Sequence, residues 1–116
     1  MNIQIYFAKK NFDVQKAERF LKERRVPFTE VDVKKHAPGA REIRLFAQAA
    51  GGMRALVDRE AKGPRADYVK QLSIESVIEQ ELSENPALMR LPIVRNGQKA
   101  VIGYDEAVLE NWIKEG

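Results

Sequence analysis

Asn85-Pro86-Ala87-Leu88-Met89-Arg90-Leu91-Pro92-Ile93-Val94-Arg95-Asn96-Gly97-Gln98-Lys99-Ala100-Val101-Ile102 closes a long helical region and opens a β-rich C-terminal third. Proline fits the first position of a helical turn, where its missing N–H would have had no partner. A short turn is therefore expected after Asn85. Pro92 to Arg95 and Lys99 to Ile102 are two short β-prone runs around Asn96-Gly97. Asn-Gly is a strong hairpin signal, because both central residues of a type I′ turn need positive φ. Beyond the hairpin, Asp105 suits an N-cap, and Val108, Leu109, Trp112 and Ile113 recur on one face of a final helix. The segment reads ββα, with Trp112 in the core.

The N-terminal third has a different order. Ile3, Ile5 and Phe7 alternate with Asn2, Gln4 and Tyr6, the period of a strand over about residues 2 to 8. Asn11 or Asp13 can cap the helix that follows, whose apolar face is Val14, Ala17, Phe20 and Leu21 through about Arg24. Pro27 is expected to stop it, and Phe28 to Val33 makes a second strand. Two strands joined by a helix read as a right-handed βαβ unit with a parallel pair.

Lys34 to Gly39 is a polar loop, and residues 40 to about 90 read as a helical insertion. Ile43, Phe46, Ala47 and Ala50 share a face, and Gly51-Gly52 ends that helix. A short helix around Met53 to Glu60 leads into Ala61 to Asp67, read as loop because of Gly63-Pro64. Ser73 is expected to cap a helix carrying Ile74, Val77, Ile78 and Leu82.

At 116 residues the chain suits one domain spanning 1–116. With 44% hydrophobic and 32% charged residues it is an ordinary globular composition. No apolar run approaches the ~20 residues of a membrane span, and the first residues lack the pattern of a secretory signal, so a cytoplasmic monomer is expected. The net charge of +3 does not by itself imply nucleic acid, and no direct nucleic-acid binding is expected. The chain has no cysteine, which excludes disulfides, thiolate metal ligands and any cysteine nucleophile. His36 stands alone in a polar loop and makes no metal site.

Three stretches carry a family resemblance: Lys16-Ala17 through Lys22-Glu23-Arg24-Arg25-Val26-Pro27-Phe28, Asn85 through Val94, and Ala100-Val101-Ile102-Gly103-Tyr104 with the acidic cap behind it. With the order βαβ, helical insert, ββα, they resemble the arsenate reductase (ArsC) family and the related transcription regulator Spx. Gly103-Tyr104-Asp105-Glu106 is closer to the Spx-like branch. The resemblance implies an α/β thioredoxin-like fold, with a mixed four-stranded sheet and an inserted helical subdomain. It also implies glutaredoxin-coupled arsenate reduction, in which a cysteine between the first strand and first helix serves as a thiolate.

The departures weigh against that activity. Ungapped alignment puts Asn11 at the position of the family cysteine, and a one-residue slip puts Phe12 there. Neither forms a thiolate. The family's oxyanion-binding arginine before the proline is Leu91 here. Arg90 matches the first of two arginines found in some members, and Arg59 matches an arginine of the helical insert. The resemblance further implies a cis peptide bond between Leu91 and Pro92, beside the active-site loop.

Lys9, Lys10, Asn11, Arg59 and Arg90 are the candidate anion-binding or ligand-binding residues. Each also has an ordinary structural reading: Asn11 as an N-cap, the lysines as solvated surface. Three functional expectations stand side by side. The first is a non-catalytic protein that acts by binding, with an RNA polymerase-like partner implied by Spx. The second is an enzyme that borrows glutathione as external thiol, held by Lys9, Lys10, Asn11 and the Pro92 backbone. The third is a small-oxyanion binder using Arg59 and Arg90. No resident cofactor is expected under the first.

Overall fold

Tyr6 and Ile5 point to opposite sides of one strand, and both are buried. This double burial marks β1 (Ile3–Phe7) as an interior strand of the computed structural model, which describes all residues 1–116. β2 (Phe28–Asp32) lies parallel to β1, with Ile5 opposite Glu30. On the other side of β1 lies antiparallel β3 (Ile93–Asn96), with Ile5 opposite Val94. β4 (Lys99–Ile102) completes the sheet as the antiparallel neighbour of β3, giving the order β2-β1-β3-β4. This is a mixed four-stranded, thioredoxin-like sheet.

One face of the sheet is covered by α1 (Phe12–Glu23) and α6 (Glu106–Glu115). Val14, Ala17, Phe20 and Leu21 of α1 pack with Ile3, Ile5, Val94, Leu109 and Trp112. Trp112 is a core residue, as its helical spacing with Val108 predicts. Asp105 caps α6, its Oδ1 accepting the Val108 N–H at 3.2 Å. The other face is covered by the helical insert: α2 (Ala40–Ala50), α3 (Met53–Leu56), α4 (Pro64–Lys70) and α5 (Glu75–Glu84). Tyr6, Ile43, Phe46, Leu56, Ile78, Leu82 and Ile93 are among its buried residues. Phe46 is wholly buried and meets the Tyr6 ring edge-on with centroids 4.9 Å apart. Truncating it to alanine would cost about 3–5 kcal/mol.

The α1 helix ends ahead of Pro27, as read: Arg25 takes a left-handed φ of 56°, and the Val26 N–H closes the helix on the Leu21 carbonyl at 2.9 Å. The structure corrects three local readings. Gly63-Pro64 starts a helix instead of breaking one, because proline sits in the first turn of α4. Ser73 is not the cap of α5, which begins at Glu75 with Ile74 as its boundary residue. In the hairpin Asn96 pairs with Lys99, so the loop residues are Gly97 and Gln98. Only Gly97 has positive φ, at 62°, which is the pattern of a II′ turn and not I′. The Gly51 cap does behave as read, at φ 98°.

Candidate functional site

Between β1 and α1 the chain turns sharply, with the Asn11 N–H bonded to the Lys9 carbonyl at 2.9 Å. Asn11 is the N-cap of α1: its Oδ1 accepts the Val14 N–H at 3.0 Å, satisfying a donor that the helix leaves without a partner. Leu91 lines the same cleft as Asn11, and the Leu91-Pro92 bond is cis. The Pro92 carbonyl accepts the Gly103 N–H at 2.7 Å, and the Arg90 N–H donates to the Leu56 carbonyl at 2.8 Å. These bonds tie both flanks of Leu91. Leu91 itself has neither its N–H nor its C=O in a bond with another backbone group.

Asn11, Leu91, Arg59 and Arg90 meet at one open cleft of about 670 Å³. Arg54 joins them, and so do the carboxylates of Asp13, Asp58 and Glu60. None of these six charged side chains takes part in an ion pair. Two of the guanidinium groups have structural partners. Arg59 donates to the carbonyls of Arg54 and Lys70 at 3.0 and 2.9 Å, fastening α3 to the end of α4. Arg90 donates to the Ala55 carbonyl at 3.1 Å.

Lys9 faces an adjoining hollow of about 290 Å³, which Asn11, Lys34, Asp58 and Leu91 also line. Lys10 is directed elsewhere. Its Nζ binds Glu18 at 2.6 Å and also Glu30, and it sits 5.0 Å from the centroid of the Phe7 ring. Those two carboxylates hold the Lys10 ammonium above its usual range. Lys10 therefore lines neither hollow, and one of its two partners is a β2 carboxylate remote in sequence. Phe12, the alternative at the cysteine position, lines neither hollow and is 80% exposed. Tyr104 packs its ring against Phe20, with centroids 6.2 Å apart.

The sequence reading did not single out Arg54, Asp58 or Glu60, and it named Asp13 only as a possible helix cap. For Arg54 a signal existed: Met53, Leu56 and Val57 are buried, which leaves Arg54 as an outward residue of that short helix. Asp58 is placed by tertiary contact, its N–H donating to the Leu88 carbonyl at 2.8 Å beside the Val57–Met89 bridge. Nothing local announces that pairing. Chemically, the cleft combines three cations, three anions, a capped helix start and the N–H and C=O of Leu91, which make no backbone bond. It offers polar recognition, and it contains no nucleophilic thiol.

Comparison with known proteins bears on the same region. The model of the ArsC family matches residues 6–112. The structure is similar to the YffB protein, at a TM-score of 0.78 and 17% identity, covering 94% of this chain and 96% of that one. It is similar to arsenate reductase from Vibrio cholerae, at a TM-score of 0.78 and 23% identity, covering 95% and 97%. An arsenate reductase (ArsC) related protein from Brucella melitensis gives a TM-score of 0.66 at 21% identity, covering 98% and 96%. At these identities the likeness is one of fold. No curated protein matches the chain.

Proposed function

The chain belongs to the ArsC family, and from that membership we propose that it is a non-catalytic member which acts by binding a protein partner. The observation that carries this reading is the residue at the mouth of α1. At the position that ungapped alignment gives to the family's thiolate, with Phe12 the one-residue alternative, Asn11 spends its side-chain oxygen on capping the helix. An amide neither forms a covalent bond to an oxyanion nor carries electrons, and no cysteine elsewhere in the chain can substitute.

Binding capacity does not depend on sulfur. The unengaged N–H and C=O of Leu91 can pair with an extended peptide as a strand edge does. A regulatory contact of the Spx kind, with a polymerase-like partner, is the precedent within the resemblance. The decisive assay is arsenate reduction with glutaredoxin and glutathione. A rate equal to the protein-free control is expected, and turnover above it would refute the non-catalytic reading.

A second reading rests on the smaller hollow, where Lys9, Asn11 and Leu91 converge. These groups suit the carboxylates and peptide units of glutathione, which would bring its own sulfur to an external-thiol reaction. Glutathione titration followed by amide chemical shifts separates the two. Changes clustered at Lys9 to Asp13 and Leu91 to Ile93 favour the second reading, and their absence at millimolar thiol removes it. Oxyanion binding has less support, because Arg59 and Arg90 already donate to main-chain carbonyls and three carboxylates share the cleft.

A further inference from the structure

The arginine cleft does not end at Leu91. The small hollow shares Asn11, Asp58 and Leu91 with it, and shares Lys34 and Ala87 with a third hollow of about 570 Å³. These shared residues place the three side by side, as a trough that would run past Leu91 and along the insert. The third hollow lies between the loop after β2, the start of α4 and the turn at Pro86–Leu88.

Its chemistry differs from that of the arginine cleft. Val33, Ala66 and Pro86 are buried in its wall and give it an apolar floor. Lys34 and Lys62 stand exposed at its rim and belong to no ion pair. Arg65 is also there, bonded to Glu81 at 3.2 Å, and Glu84 is the hollow's own carboxylate. An apolar floor with unpaired ammonium groups at the rim favours a ligand with an apolar side chain flanked by carboxylates.

We propose that the trough receives an extended, acidic segment of a partner protein. Its backbone pairs at Leu91, an apolar side chain enters the Val33–Pro86 hollow, and flanking Asp or Glu residues meet Lys34 and Lys62. The proposal rests on the binding reading above and adds the chemical class of the partner. A polypeptide is favoured over a nucleic acid because the third hollow contains no aromatic side chain on which a base could stack.

Selection of a random peptide library on the intact protein at low salt tests this. Selected peptides should be enriched in Asp and Glu around an apolar residue. A synthetic consensus peptide should shift the amides of Lys34, Lys62, Ala66, Ala87 and Leu91. Its affinity should fall about tenfold in a Lys34→Glu, Lys62→Glu variant, and also with added salt. Both lysines are exposed, and a Lys34→Gln, Lys62→Gln pair with unchanged circular dichroism controls for misfolding. The proposal is overturned if no peptide is selected, if the peptides lack acidic enrichment, if their shifts avoid the third hollow, or if charge reversal leaves affinity unchanged. Binding of oligouridine RNA with the same lysine dependence would also overturn it. Arsenate turnover, by contrast, would sink the binding reading while leaving these peptide measurements standing.

Discussion

The Tyr6 hydroxyl donates a 2.7 Å hydrogen bond to Glu42 Oε2, joining the central strand to the first turn of α2. The same carboxylate accepts the Gly39 N–H through its other oxygen, at 3.1 Å, so one side chain both caps α2 and anchors it to the sheet. Arg95 on β3 closes the group, its Nη1 lying 3.2 Å from both Tyr6 Oη and Glu42 Oε2. Burial, and then the bond to Glu42, raise the Tyr6 pKa above its ordinary 10.0. A raised folded-state pKa means that the native state holds this proton more tightly than the unfolded chain does. The contribution is therefore complete below pH 10.0 and disappears as pH climbs through the folded-state value. Tyr6→Phe should cost about 1–2 kcal/mol at neutral pH and flatten the alkaline loss of stability, measured by urea unfolding across pH.

Asn11 caps a twelve-residue helix with an open mouth, the setting that lowers a thiol pKa. Asn11→Cys places the only sulfhydryl of the chain there, so alkylation reports it without background. The thiol should titrate below the ~8.5 of free cysteine, visible as a shifted pH profile of iodoacetamide labelling. Phe12→Cys, just inside the helix and more exposed, serves as the comparison for the one-residue slip. A thiol at position 11 that titrates like free cysteine would show that α1 no longer supplies the electrostatics of a thiolate site. Losing the cap itself, as in Asn11→Ala, should destabilise the protein by about 1 kcal/mol.

What could be read from the chain follows from how local each cause is. The β1 strand, the face of α1 and the caps at Asn11 and Asp105 depend on residues within one turn or one strand, and they stand in the structure; Tyr6, read on the polar side of β1, is instead buried beneath the insert. The cis bond at Leu91-Pro92 came through family resemblance, since nothing in that dipeptide dictates it. Hairpin register did not follow from Asn96-Gly97. It is set by opposing pairs Ile93–Ile102 and Val94–Val101, which move the turn one residue onward. The pairing of Lys10 with Glu30 was not legible because Glu30 lies on β2, brought alongside only by sheet formation. Asp58 and Glu60 escaped the reading because the path of residues 57–60 is set by Leu88 and Met89.

Arg25 occupies a left-handed conformation that costs a residue with a Cβ about 1 kcal/mol. It is exposed, and it stands where helices most often end in glycine, with the Arg25 N–H closing on the Lys22 carbonyl at 3.1 Å. Arg25→Gly should therefore stabilise the protein by up to about 0.5 kcal/mol, much of the relieved strain being offset by glycine's freedom in the unfolded chain. Arg25→Val should do the reverse, because branching at Cβ makes the left-handed region costlier. Chemical denaturation of both variants checks the sign, and a destabilised glycine variant would mean that the Arg25 side chain contributes more than its backbone strain removes.

Arg59 distinguishes a structural arginine from a ligand-binding one. Its two bonds to the Arg54 and Lys70 carbonyls join the short helix α3 to the C-terminal end of α4, across a loop that carries Asp58 and Glu60 into the cleft. Because the side chain is exposed, Arg59→Ala should cost only about 1 kcal/mol globally. Locally the effect should be larger, with faster amide hydrogen exchange confined to α4 and the loop before it. Arg59→Lys, which lacks the planar fork, should recover only part of that protection. Arg54→Ala is the counterpart, since its guanidinium lines the same cleft without such a bond and its loss should leave exchange in α4 unchanged. Equal exchange behaviour in the two alanine variants would show that Arg59 has no fastening role and would free it as a candidate for binding an anion.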